Sequence, residues 1–153
     1  MNVLRALALG ALLVACSSTP ARSTETLTPR ASPSSSGVPS TLQTKYEAAQ
    51  AAITLFHVRF DQRAFNRMYE LTDASFRKEI GEQAFVANMT ALREKVGASR
   101  NEDEQDADAY EDGKDAIVTI VMETEFDNAV LDETFVWRVT PAEMTLLVSY
   151  EAD

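Results

Sequence analysis

At 153 residues and 45% hydrophobic side chains, the chain has material for one domain with a real core and not for two. Cys16 is the only cysteine, which excludes an intramolecular disulfide, so the core must suffice without covalent staples. The formal net charge is −10, and it is unevenly placed: residues 45–100 sum to +2, with 9 basic and 7 acidic groups, whereas residues 101–153 carry 2 basic and 16 acidic groups, a net of −14. Such a surface repels phosphates and anionic headgroups, which disfavours nucleic acid as a partner, and none is expected.

Residues 1–15 have the composition of an export signal. Arg5 supplies an early positive charge, and an apolar run broken by Gly10 extends to Ala15. That run is far shorter than the roughly 20 residues a membrane-spanning helix needs. It ends in Leu13-Val14-Ala15-Cys16, which resembles the lipobox of bacterial lipoproteins. The resemblance implies cleavage before Cys16 after its thiol has received diacylglycerol, and two or three acyl chains give stable anchoring where one does not. The competing reading is an ordinary signal peptide with Cys16 beyond its cleavage point. The expected address is the bacterial cell envelope, with the membrane as partner through lipid on Cys16. In a Gram-negative cell, Ser17 favours the outer membrane, facing the periplasm.

Residues 16–43 follow as a lipidated cysteine and a spacer. From Ser17 to Gln43, 17 of 27 residues are Ser, Thr or Pro, including four of the five prolines. Large apolar residues are nearly absent, so the segment cannot offset the entropy of ordering, and a flexible linker is predicted. Its mean reach is about 30 Å, from roughly 5–6 Å times the square root of residue number.

Residues 44–153 read as the folded domain. Tyr46, Ala49, Ile53, Phe56 and Phe60 recur at helical spacing and form one apolar stripe. A short second helix spans about 64–71, with Thr72-Asp73 ending it and capping a further turn through Phe76. A third runs from about Glu82 to Val96, buries Phe85, Met89, Leu92 and Val96, and stops at Gly97. The period then changes to two. A strand within 99–110 is followed by an Asp112-Gly113 hairpin signal. Val118, Ile120, Met122 and Phe126 alternate with polar residues in the next strand, and Phe135, Trp137 and Val139 share a face in the third. Met144, Leu146, Val148 and Tyr150 are expected on one face of the last. The prediction is an α+β domain: three N-terminal helices packed on a curved four-stranded antiparallel sheet, after the signal peptide and disordered linker.

Phe60-Asp61 closing the first helix, Phe85 through Leu92-Arg93 with Gly97, and Thr124-Glu125-Phe126 followed by Glu133 give the domain a resemblance. Over about 110 residues it resembles the nuclear transport factor 2-like, or cystatin-like, cone superfamily, and within it small exported bacterial domains of unknown function. Thr145 and Ser149 stand where that pattern has Trp and Gly. The resemblance implies a pocket between the first helix and the sheet, used in some members for isomerase or dehydratase chemistry.

His57 lies beside the apolar stripe and is the candidate acid or base, with Asp61 or Tyr69 as its partner. The favoured alternative is a boundary histidine satisfied by a carbonyl or solvent. Eight acidic residues between Glu102 and Asp115 invite a calcium loop, but Tyr110 and Thr119 fall where ligands are required, so a solvated acidic strand edge is expected. No residue pattern supports zinc or any other metal, and no glycine-rich phosphate loop or nucleophile motif is present. No cofactor is expected. Trp137 and Tyr150 are candidates for stacking on a ligand or for a homodimer interface, with core packing the favoured reading. The leading expectation is a membrane-anchored, non-enzymatic module that binds a partner protein or an apolar small molecule. The alternative is a cone-type enzyme using His57 with Asp61 or Tyr69.

Overall fold

The computed structural model describes residues 37–153; the export signal, Cys16 and the spacer up to residue 36 lie outside the described residues. The elements run α1 (Gln43–Asp61), α2 (Phe65–Tyr69), α3 (Ala74–Glu79), α4 (Glu82–Val96), then β1 (Ser99–Asp112), β2 (Asp115–Phe126), β3 (Val130–Val139) and β4 (Thr145–Ala152). The four strands form one open antiparallel sheet in the order β1-β2-β3-β4. The α+β class with helices before an antiparallel meander is as the periodicities predict. The helix count is not: there are four α-helices among the described residues, not three. The turn expected after Thr72-Asp73 is a separate helix, because Asp73 Oδ1 accepts from the Ser75 backbone N–H at 2.8 Å and its hydroxyl at 2.6 Å, and so caps α3.

The stripe of α1 is buried as a unit: Tyr46, Ala49, Ile53, Phe56 and Phe60 all join the core. Phe65 and Met68 of α2 and Phe85, Met89 and Val96 of α4 close around it. From the sheet come Val118, Ile120, Met122 and Phe126 on β2, then Phe135, Trp137 and Val139 on β3. The fold also draws in residues ahead of position 44: Leu42 is buried in the core, and Gly37 forms a parallel bridge to Asp108 of β1.

Two positive-φ glycines shape the connections, one where α4 meets the sheet and one between β1 and β2. Gly97 ends α4 at φ +86°, and a Cβ there would meet the Asp127 Cβ at 2.4 Å. Gly113, at φ +67°, and Lys114 form the two-residue turn between the paired Asp112 and Asp115, one position later than the Asp112-Gly113 signal suggests.

The strands depart from strict alternation at bulges. Glu104 pairs with Met122 but Asp106 with Val121, so Gln105 is an extra residue in β1. Val136 pairs with Ser149 but Trp137 with Leu147, which makes Val148 the extra residue in β4. This second bulge overturns the expected face of the last strand. Leu147 is buried and Tyr150 packs on the core, whereas Met144 lies in the preceding loop at 59% exposure and neither Leu146 nor Val148 joins the core.

The two sheet edges differ. At β4, the Leu71–Asp73 segment runs alongside, with the Leu147 N–H donating to Leu71 O at 2.8 Å and the Asp73 N–H to Leu147 O at 2.7 Å. At β1, the outer edge is met among the described residues by the isolated bridge from Gly37 to Asp108, the counterpart of the Thr72–Leu147 bridge at β4.

Candidate functional site

Beneath α1, a polar band crosses the otherwise apolar layer between helix and sheet. His57 belongs to the buried side of α1 at 2% exposure. Its Nε2 lies 2.8 Å from Glu133 Oε2 on β3, a residue with no exposed surface. The other Glu133 oxygen accepts the Tyr150 hydroxyl at 2.6 Å from β4. On the opposite side of the imidazole, Nδ1 lies 2.9 Å from Glu102 Oε1 of β1, off the line of a directed hydrogen bond. The band therefore runs Tyr150, Glu133, His57, Glu102, across three strands and one helix.

These charges interlock. Burial is the largest influence on His57 and lowers its pKa, but the close contact and charge of Glu102 and the hydrogen bond and charge of Glu133 together outweigh it and hold the imidazole at about 9. Burial alone would raise Glu133; bonding to His57, with the neighbouring Thr124 and Tyr150 hydroxyls, brings it below the ordinary carboxylate value. At neutral pH the pair is imidazolium and carboxylate. Tyr150 is pushed well up by burial and by the adjacent Glu133 charge, so it serves as a proton donor to the carboxylate.

About two to three helical turns earlier on α1, a second polar group meets the same face of β1. The Tyr46 hydroxyl donates to Glu104 Oε1 at 2.5 Å. Gln50 Nε2 donates to the Tyr46 oxygen at 2.7 Å and to Glu104 Oε2 at 3.0 Å. Burial, followed by the bond to Glu104, drives the Tyr46 pKa up. Glu102 and Glu104 form part of the wall of an open cleft of about 240 Å³, together with Gln50, Ile53, Thr54 and Met122.

The structure separates the three residues that the sequence offers as an acid–base set. Asp61 accepts from the Ser99 backbone N–H at 3.0 Å and its hydroxyl at 2.8 Å, fixing the start of β1. Tyr69 donates to the Ile80 carbonyl at 3.1 Å. Neither is the partner of His57. Trp137 is 1% exposed and stacks on Phe135 at 6.1 Å with a 7° interplanar angle, so it fills the core. Tyr150 packs on Phe56 and Phe135 and is the one aromatic candidate that joins the polar band.

Glu133 carries a signal that strand periodicity makes visible: it shares the inward phase of Phe135, Trp137 and Val139, and an acid at an inward position requires a buried partner. Glu102 and Glu104 carry no such signal. Strict alternation places them opposite Ala107 and Ala109, and only the bulge at Gln105 brings all four to the inner face. No group of three or more His, Cys, Asp or Glu able to hold a metal ion occurs among the described residues, and no helix there is long and apolar enough to cross a membrane. Comparison with family models, with curated proteins and with solved structures yields no match in any of the three.

Proposed function

We propose that the chain is an envelope lipoprotein whose lipid-bearing Cys16 and Ser/Thr/Pro spacer present a cone-type α+β domain, related to the nuclear transport factor 2-like superfamily, as a non-enzymatic binding module. Support for the binding reading rests on one observation: the only histidine is sealed in an ion pair with Glu133, at 2% and 0% exposure. A general acid or base must come within hydrogen-bond reach of a substrate proton. Here both imidazole nitrogens face glutamates, and the space around the ring is filled by Phe56, Phe126 and Phe135. Ligands then meet the domain at its open clefts or on the outer sheet face.

The address rests on the run Leu13-Val14-Ala15-Cys16, the absence of any second cysteine and the polar spacer behind it. Metabolic labelling with a clickable fatty acid tests it: wild type should label and fractionate with membranes, and Cys16→Ser should do neither. Equal labelling of both, or of neither, rejects the anchor. The sealed imidazole has its own test in diethyl pyrocarbonate, which should modify His57 only after denaturation. Modification of the native protein would mark an open acid–base site and favour the enzymatic reading.

A further inference from the structure

The described residues hold seven arginines, and these divide by place. Arg93, Arg100 and Arg138 form ion pairs with Asp61, with Asp127, and with Asp73, Asp112 and Asp115. Arg59, Arg63, Arg67 and Arg77, gathered where α1, α2 and α3 follow one another, form none among the described residues. The chain has 24 acidic groups against 14 basic ones, so this lack of pairing is set by position and not by supply. Two of the four are held by neutral acceptors. Arg59 Nη1 donates to the Arg67 carbonyl at 2.7 Å, and Arg77 Nη2 to the Glu70 carbonyl at 2.8 Å, which closes the C-terminal end of α2. A guanidinium has five N–H donors, so both keep their charge and further donors after making these bonds. Arg63 and Arg67 are exposed.

The same corner is apolar. Leu55 and Val58 are 40% and 45% exposed on the side of α1 turned away from the sheet, each one turn before a polar neighbour, Arg59 and Gln62. Few acids stand close by. Residues 59–78 contain five basic and three acidic groups, and two of those acids, Asp61 and Asp73, belong to the ion pairs already described. The acidic strands lie beneath α1, a helix about 10 Å across, and charge is screened over about 10 Å at 0.1 M salt. A soluble anion such as free phosphate gains nothing from exposed leucine and valine, and an apolar partner gains nothing from four guanidiniums. An anionic lipid surface uses both, with headgroup phosphates for the charges and the acyl boundary for the side chains.

We propose that the outer face of α1 and the turn into α2, centred on Leu55, Val58, Arg59, Arg63 and Arg67, docks on an anionic lipid surface. The proposal rests on the anchored-module reading, in which that surface is the membrane holding Cys16. Each arginine near such a surface contributes roughly fivefold in affinity, which is weak for a free protein. A tethered domain meets the surface at an effective concentration on the order of millimolar, so weak contacts suffice. Reach agrees with this: the corner lies roughly 27 Å along α1 from Gln43, within the reach of about 30 Å expected of the spacer. Docked in this way, the domain turns its acidic sheet from the membrane and leaves the outer sheet face open to a ligand.

The test reconstitutes the full-length chain, with its own anchor, into vesicles of phosphatidylcholine alone or with about a third phosphatidylglycerol, each carrying a lipid-borne quencher. A fluorophore is placed at Gln62→Cys on the corner or at Glu123→Cys on the outer sheet face, both exposed positions. Quenching at position 62 in anionic vesicles, released by high salt, is expected, with none there in neutral vesicles and none at position 123 in either. Arg63→Gln and Arg67→Gln, which remove no ion pair, should each lower the docked-to-free ratio about fivefold. Lys114→Gln, in the turn between β1 and β2, should leave it unchanged. Equal loss in Lys114→Gln would reduce the effect to net charge and overturn the proposal. So would an unquenched label at position 62 in anionic vesicles, or quenching at position 123. Emission at position 62 that changes with protein density on neutral vesicles would place the patch against another protein chain and overturn the lipid surface as its partner. Flotation with neutral vesicles reports the anchor separately: failure to float rejects the anchor, and the label at position 62 still decides docking on anionic ones.

Discussion

His57 is held by neighbours on two strands, and its protonation is a property of the fold. Its pKa rises from an ordinary 6.5 to about 9, so the folded state holds the proton more tightly than the unfolded one. The resulting stabilisation is fully present below pH 6.5 and is lost as pH rises through 9. The shift corresponds to about 3–4 kcal/mol at roughly 1.4 kcal/mol per unit. Glu133 is displaced in the opposite direction, so its contribution is present above its ordinary value of 4.5 and is lost as pH falls. Urea midpoints should therefore be highest near pH 5 to 6.5 and decline towards pH 9. Glu133→Gln leaves the imidazole buried without its main counter-charge, which should cost about 3–5 kcal/mol at pH 6. It should also flatten the decline between pH 7 and 9. Because His57 is the sole histidine, its ring proton resonance reports the same change without assignment, as a fall in the titration midpoint. An unchanged midpoint in Glu133→Gln would show that Glu102 alone sets the charge.

At the scale of the elements, the joints are where substitution separates strain from fit. The α1 terminus closes with the Arg63 N–H on Phe60 O at 3.0 Å and the Ala64 N–H on Arg59 O at 2.8 Å, with Arg63 at φ +56°. Glycine is the residue that adopts this geometry without steric cost. Arg63 is exposed, so Arg63→Gly should stabilise the domain, by about 0.5–1 kcal/mol in thermal unfolding. Gly97 is the converse case, since its positive φ and its close approach to Asp127 both exclude a side chain. Gly97→Ala should destabilise by about 1–3 kcal/mol and loosen the junction of α4 with β1, seen as faster amide exchange at Ala98 and Ser99. Which of these features sequence makes visible follows from their physics. The stripe of α1, the inward row of β3 and the Gly97 stop are local, periodic signals, and each appears in the structure at the expected residues. The independent α3 depends on a six-residue helix with no fully buried side chain, which generates no periodic pattern. The inner-face positions of Glu102 and Glu104 depend on Gln105, and the true face of β4 depends on Val148; a bulge exists only relative to the partner strand. Asp61 and Tyr69 lie near His57 in sequence, but Glu133, 76 residues away, lies near it in space.

For the molecule as a whole, the decisive asymmetry is electrostatic. The helical residues 45–100 are close to neutral, while the strand-bearing residues 101–153 hold a net of −14, much of it on β1. Two consequences oppose each other. Repulsion among Asp106, Asp108, Glu111 and their neighbours strains the folded state, and it is screened over about 10 Å at 0.1 M salt. The same charges guard β1, whose outer edge is bridged only at Gly37 among the described residues, against pairing with another chain. The β4 edge needs no such guard because Leu71 and Asp73 already hold its backbone. Replacing Asp106, Asp108 and Glu111 by their amides should therefore act in both directions. The melting temperature in low salt should rise, and its increase on adding 0.5 M NaCl should shrink relative to wild type, because less repulsion remains to be screened. Sedimentation velocity of the same variant should show concentration-dependent association that wild type lacks. Inserting a proline within β1 at an outward-facing amide should suppress that association if it proceeds along the edge. A variant that gains stability and stays monomeric would show that the acidity of β1 has no protective role.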